Sequence, residues 1–133
     1  MIWLDTHVLV WLDEANPRLG VGAIEKINTA FQAGDAMVSA ISFWEVSMLV
    51  RKSRIRLDID LSVWRKDFME QGLIEVPVTG DIGIKAAGLE QFHGDPADRL
   101  IAATALQNSL TLITADRRLL DCELSITRLD ARQ

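Results

Sequence analysis

Four carboxylates in this chain stand where an acidic side chain has little routine work to do. Asp98, in HGDPADRLIAATA (residues 93–105), heads a helix-like run of Ala, Leu and Ile. Its neighbour Arg99 does not face it, because adjacent helical positions point to different sides. Glu45 lies in AISFWEVSMLV (residues 40–50), which is apolar nearly all round, the mark of a helix with little free surface. The residues three and four positions from Glu45 are Ile41, Ser42, Met48 and Leu49, with no cation among them. Asp5 follows the apolar triplet IWL, and Asp116 follows TLIT and Ala115. Each acid has an ordinary explanation as well, which for Glu45 is a partner from elsewhere in the chain. Asp5 or Thr6 suits a helix cap, Asp116 a first helical turn, and Asp95-Pro96 a helix start with Asp98 in its first turn. A buried ionised carboxylate is nevertheless costly unless it is paired or binds a metal. Four such placements beside apolar segments point to one acidic site.

Clustered carboxylates repel one another, and a hard divalent cation relieves the repulsion. Mg²⁺ or Mn²⁺ prefers oxygen ligands and usually takes few protein carboxylates together with waters and substrate phosphate. One or two such ions would activate a water and stabilise the charge on a phosphodiester during in-line attack. Other chemistries have little to draw on. His7 and His93 are the only histidines, Cys122 is the only cysteine, and there is no G-x-S-x-G elbow, P-loop or G-x-G-x-x-G. His7, two residues after Asp5, reads as a helix-surface residue rather than a member of the site.

The elements that must position these acids alternate between short apolar runs and longer helical ones. Strands are expected at Ile2 to Leu4, Ala36 to Val38, Leu73 to Val78, Thr111 to Thr114 and Leu124 to Leu129. Helices are expected at Thr6 to Asp13, Val21 to Gln32, Ser39 to Lys52, Leu61 to Gln71, Gly80 to Glu90 and Pro96 to Asn108, with a helical turn from Arg117 to Leu120. This alternation argues for a parallel α/β sheet covered on both faces. Ligands of such sheets bind beyond the carboxyl ends of the strands. Asp5, Glu45, Asp98 and Asp116 all fall near such ends.

Bulk properties narrow the class. With 133 residues, 49% hydrophobic and 25% charged, the chain reads as one domain over 1–133 with an ordinary core. No apolar run is long enough to span a membrane, the start carries no basic leader, and one cysteine suits a reducing compartment, so a cytoplasmic location is expected. The net charge of −5 disfavours a generic nucleic-acid binder, so any such role needs a local basic patch or metal ions. Arg51, Lys52, Arg54 and Arg56 form the densest basic run, read either as a solvated helix end or as a phosphate-tracking rim for RNA. Arg117 and Arg118 are candidates for the same role. Trp3, Trp11, Trp44 and Trp64 are expected mainly in the core, with one or two able to line a partner groove.

The segments WLDTHVLVWL, SFWEVSMLVRK, HGDPADRLIAATAL and LTLITADRRLL, in that order along the chain, resemble the PIN-domain family, and within it the VapC toxins of bacterial toxin–antitoxin pairs. The resemblance implies a small three-layer α/β/α fold with a short, mostly parallel sheet. It also implies a metal-dependent endoribonuclease acting on an RNA substrate. Carried over by motif, Asp5, Glu45, Asp98 and Asp116 are the acidic residues, with Asp5, Asp98 and Asp116 as metal ligands. Thr6 and Thr114 are supporting hydroxyls, and Asp95 belongs to the DPADR motif with a less defined part. A homodimer and inhibition by a cognate VapB-type antitoxin are also implied. Two other classes remain open on sequence alone. One is a phosphoaspartyl or receiver-like domain, although no lysine follows a strand here; the other is a non-catalytic module holding a basic peptide in an acidic groove.

Overall fold

The computed structural model describes residues 1–90, 92 and 94–133. His93, one of the two histidines, lies outside the described residues. In chain order the elements are β1 (Ile2–Leu4), α1 (Thr6–Asp13), α2 (Val21–Ala33), β2 (Ala36–Ser39), α3 (Ala40–Arg51), α4 (Leu61–Glu70), β3 (Ile74–Val76), α5 (Gly80–Ala87), α6 (Pro96–Asn108), β4 (Thr111–Thr114), α7 (Arg117–Leu120) and β5 (Thr127–Asp130). The sheet is parallel throughout, in the order β3-β2-β1-β4-β5. Strand order therefore reverses at β1. Its carboxyl end and that of β4 flank the crevice where such sheets bind ligands.

Three elements differ from the sequence expectation by more than one residue at an end, each for a local reason. Only Ile74–Val76 of LIEVPV is strand, since Pro77 has no N–H to give a ladder. The helix expected to Glu90 ends at Ala87, where Gly88 caps it. The last strand starts at Thr127 rather than Leu124. Leu124 and Ile126 still reach the core, but from a tight turn in which Ile126 N–H donates to the Leu124 carbonyl.

Side chains alternate across the pleat, as strand geometry requires. Leu4, Ala36, Val38 and Ile113 face one apolar cluster, which includes residues of α1 to α4; Trp3 and Leu112 face the other, built with α5, α6 and α7. Helices thus cover both faces, giving three layers. Trp64 is edge-on to Phe43 and Phe68 at 6.0 and 5.1 Å between ring centroids. Trp3 is fully buried and satisfies its indole N–H on the Ile101 carbonyl at 3.0 Å.

Helix α3 departs from the fully covered helix expected of so apolar a segment. Phe43 and Val46 bury against the core, but Ile41, Met48, Leu49 and Val50 are only half-buried, and Trp44 is 57% exposed. The helix packs on β2, α1 and α6 and leaves its remaining flank bordering open clefts.

The segment Ala131 to Gln133 returns to α2. Gly20 N–H donates to the Ala131 carbonyl and Gly22 N–H to the Gln133 carbonyl, both at 2.9 Å. Arg132 donates to the Ala115 carbonyl, one residue before Asp116, at 2.8 Å. A Cβ on Gly20 would lie 2.3 Å from the Gln133 carbonyl carbon. Gly20→Ala is therefore expected to destabilise by about 1–3 kcal/mol, the usual cost of overpacking. A denaturant melt checks this, and an unchanged midpoint would show that the tail is free to move aside.

Candidate active site

Ladder register assembles the centre of the site. Leu4 pairs with Val38 on one side and Ile113 on the other. The next level therefore sets Asp5 between Ser39 and Thr114. The Thr114 hydroxyl donates to Asp5 Oδ2 at 2.6 Å and accepts the Asp116 N–H at 3.1 Å. Asp5 Oδ1 accepts the Thr6 N–H at 2.9 Å and caps α1. Asp5 is only 4% exposed, and burial raises its carboxyl above the usual range despite the Thr114 hydrogen bond.

Thr6 extends the network to α3. Its Oγ1 donates to Glu45 Oε1 at 2.5 Å and lies 2.8 Å from Ser42 Oγ. A hydroxyl carries one proton, so the Ser42 hydroxyl must turn its own toward Thr6. Burial raises the Glu45 carboxyl, with Asp5 and Asp95 adding to the rise against the lowering bond from Thr6.

The third support is the start of α6. Asp95 is the N-cap and accepts the Asp98 N–H at 2.8 Å, with Pro96 in the first turn. Capping fixes Asp98 at the edge of the crevice, where it is 7% exposed. Burial, then the charges of Asp5, Asp95, Glu45 and Asp116, push its carboxyl up to about 8. Glu45, Asp95 and Asp98 each present a carboxylate oxygen within 4.8 Å of the other two. Hard oxygen donors at that spacing suit a divalent cation.

Asp116 caps α7, and Arg118 closes this side of the site. The Arg118 guanidinium donates to Asp116 Oδ2 at 3.0 Å and to Asp98 Oδ2 at 3.2 Å. Burial works to raise Asp116, but its hydrogen bonds from Arg118 outweigh this and hold it below the ordinary value. Arg117 instead turns to Asp121 at 3.9 Å on the surface. Arg99 points away as well, donating to the carbonyls of Ala87, Leu89 and Phe92. The ordinary and functional readings of these aspartates are compatible, since Asp5, Asp95 and Asp116 cap helices whose N-terminal ends meet at one edge of the sheet.

A sequence model of the PIN domain family matches residues 2–123. The chain is a PIN-domain protein. It is 37% identical over 119 residues to Ribonuclease VapC22 of Mycobacterium tuberculosis (strain ATCC 25618 / H37Rv), covering 89% of this chain and 88% of that one. Solved structures with the same PIN fold include VapBC2 of Rickettsia felis bound to a DNA fragment from their promoter, at TM-score 0.70 and 17% identity over 98% of this chain and 100% of that one. A toxin–antitoxin complex from Klebsiella pneumoniae is similar at TM-score 0.63 and 20% identity, covering 98% of each chain.

The basic run divides in the PIN structure. Lys52 and Arg54 line a cleft together with Glu45 and Asp95. Arg54 and Arg56 line a neighbouring groove with His7, Trp11 and Arg18. His7 is exposed, as expected, but its charge reaches Asp5, Glu45 and Asp116. Arg51 is exposed at the end of α3. The most voluminous of the described clefts, about 660 Å³, lies elsewhere among Leu12, Asp13, Asn28, Phe31, Gln32, Phe68 and Gln71. With Asp13 as its only titratable lining residue, it offers no comparable chemistry. Among the described residues, no helix is long and apolar enough to cross a membrane.

Proposed function

We propose that this PIN domain is a divalent-metal-dependent endoribonuclease, the toxin of a VapBC-type pair acting in the cytoplasm. The observation that carries the reading is the Glu45–Asp95–Asp98 group at the carboxyl edge of the sheet, in a chain 37% identical to Ribonuclease VapC22. Asp5 and Asp116 complete the acidic surround. A bound Mg²⁺ or Mn²⁺ would supply the positive charge that brings a phosphodiester into so acidic a site, and would make water a competent nucleophile at neutral pH.

The chain's own groups do the positioning. Thr114 and the Thr6 N–H hold the two oxygens of Asp5, the Thr6 hydroxyl holds Glu45, and Asp95 holds the start of α6 beneath Asp98. The Asp5 and Glu45 carboxylates are thereby held by hydrogen bonds and Asp98 by its place in the first turn of α6, as a preorganised site requires. Arg118 shields Asp98 and Asp116 from one another. A cognate antitoxin that covers the acidic groove and a homodimer belong to the same reading.

The direct test is cleavage of cellular RNA by purified protein. Activity should appear with Mg²⁺ or Mn²⁺ and vanish with chelator. RNA left intact under all metal conditions would sink the reading in favour of an acidic binding groove.

The basic run gives a quantitative check. Lys52, Arg54 and Arg56 border the acidic centre or its neighbouring groove, and in this reading they track phosphates. Changing Arg51, Lys52, Arg54 and Arg56 to Gln should weaken RNA binding and flatten its salt dependence, by about 0.7 in the log–log slope for each lost contact to a single strand. Binding is read at several salt concentrations in protein silenced by Asp98→Asn. Parallel slopes and equal affinities would return the run to a solvated helix end.

A further inference from the structure

Trp44 stands apart from the other tryptophans. Trp3, Trp11 and Trp64 are buried, whereas Trp44 is 57% exposed, one position before Glu45. A large aromatic left in water forgoes the burial that normally makes such a side chain stabilising. Among the described residues, its ring has no aromatic or cation–π partner. It lines a cleft of about 200 Å³ whose other walls are Glu45, Met48, Leu49, Lys52, Arg54 and Asp95. One small cleft thus holds an available indole, two cations and two of the three clustered carboxylates.

That combination matches a nucleotide unit. A base offers a π-face to an indole, the flanking phosphates need cations, and an adjoining phosphodiester needs the acidic centre. Lys52 and Arg54, in a chain of net charge −5, favour this occupant over a basic or purely apolar peptide. Bases free to stack on a protein are those of single strands and loops, not those inside an A-form duplex.

We propose that Trp44 is the base-stacking platform of a nucleotide subsite formed with Lys52 and Arg54 beside the acidic centre. The subsite rests on the ribonuclease reading and adds to it a specificity residue.

The test uses full-length protein silenced by Asp98→Asn, with Trp44 intact or changed to Ala or Phe. The probes are a short single-stranded RNA of mixed sequence, an abasic oligomer of the same length, and that RNA annealed to its complement. Trp44→Ala should weaken binding of the single strand by about 5- to 150-fold, the range found for losing one stacked base. Trp44→Phe should recover most of it. The abasic oligomer and the duplex should bind both proteins equally weakly. Tryptophan emission should be quenched by the RNA and not by the abasic oligomer. In cleavage-competent protein, Trp44→Ala should raise KM more than it lowers kcat. Unchanged RNA affinity in Trp44→Ala, or equal affinity for intact and abasic oligomers, overturns the proposal and returns the indole to a protein partner. Cleavage by protein with Asp98 intact is scored separately. A chain that cleaves RNA without base dependence loses the subsite alone, and one that cleaves none loses both readings.

Discussion

Asp98→Asn is expected to abolish RNA cleavage, by about 10³-fold or more, the scale of losing a principal catalytic group. The change keeps the size of the side chain and removes its charge. Asp98 supplies one oxygen of the Glu45–Asp95–Asp98 group and receives the repulsion of four other carboxylates. Without its negative charge the group is a weaker cation site. The scaffold should survive, because the α6 cap is made by the Asp98 backbone N–H to Asp95 and does not involve the side chain that changes. Asp5→Asn should be equally inactive but harder to interpret. Asp5 accepts hydrogen bonds on both oxygens, from the Thr6 N–H and the Thr114 hydroxyl. An amide cannot accept on both sides, so it would leave a buried donor facing a donor. Circular dichroism should confirm the fold of Asp98→Asn, and the cleavage rate of the same sample decides. Full activity in folded protein would mean that the clustered acids do not work as one centre.

Much of this was legible in the sequence because the cues were local. IWL and TLIT are short apolar runs ended by Asp5 and Ala115-Asp116, and Asp95-Pro96 marks a helix start in any context. The order of strands and helices required a covered parallel sheet, and its carboxyl edge required the acids to lie near one another. What stayed hidden depended on long-range register and on helix rotation. Arg117 and Arg118 are adjacent in sequence, and nothing local tells that Arg118 bridges Asp98 and Asp116 while Arg117 turns to Asp121. The link from Thr6 to Glu45 joins residues of separate helices, so only the packing of α1 on α3 reveals it. Asp95 reads as a cap from sequence, and its proximity to Glu45 follows from where α3 meets α6. The apolar character of α3 pointed to burial on all sides. Exposure of Trp44 reflects how far the neighbouring helices reach, which hydrophobic patterning does not encode.

Divalent metal should raise the melting temperature most at high pH, and Glu45→Gln should blunt the effect. The sign follows from proton binding. Asp98 is raised from 3.8 to about 8 in the folded protein. Between those values the folded chain binds more protons there than the unfolded chain, so stability falls as pH rises through the window. Burial of Asp5 and Glu45 raises both carboxyls, which act in the same sense above their ordinary values. Asp116, lowered through Arg118, acts oppositely, with stability lost only as pH falls below the ordinary 3.8. Metal-free protein should therefore melt at lower temperature at pH 8 than at pH 5, both of which lie inside that window of about 4 to 8. A cation that binds only the folded state adds about 2.7 kcal/mol at 100 times its Kd. For a domain of this size that corresponds to roughly 10 °C. At low pH protons already relieve the repulsion and compete with the ion, so the gain should shrink. In Glu45→Gln one of the three clustered oxygens no longer carries charge, and Thr6 still has an acceptor to hold the side chain. Scanning calorimetry of both proteins at the two pH values, with chelator or with Mg²⁺ or Mn²⁺, reads every term. An equal rise in both proteins would place the ions elsewhere, and a metal-free protein that grows more stable toward pH 8 would mean that repulsion does not govern this edge of the sheet.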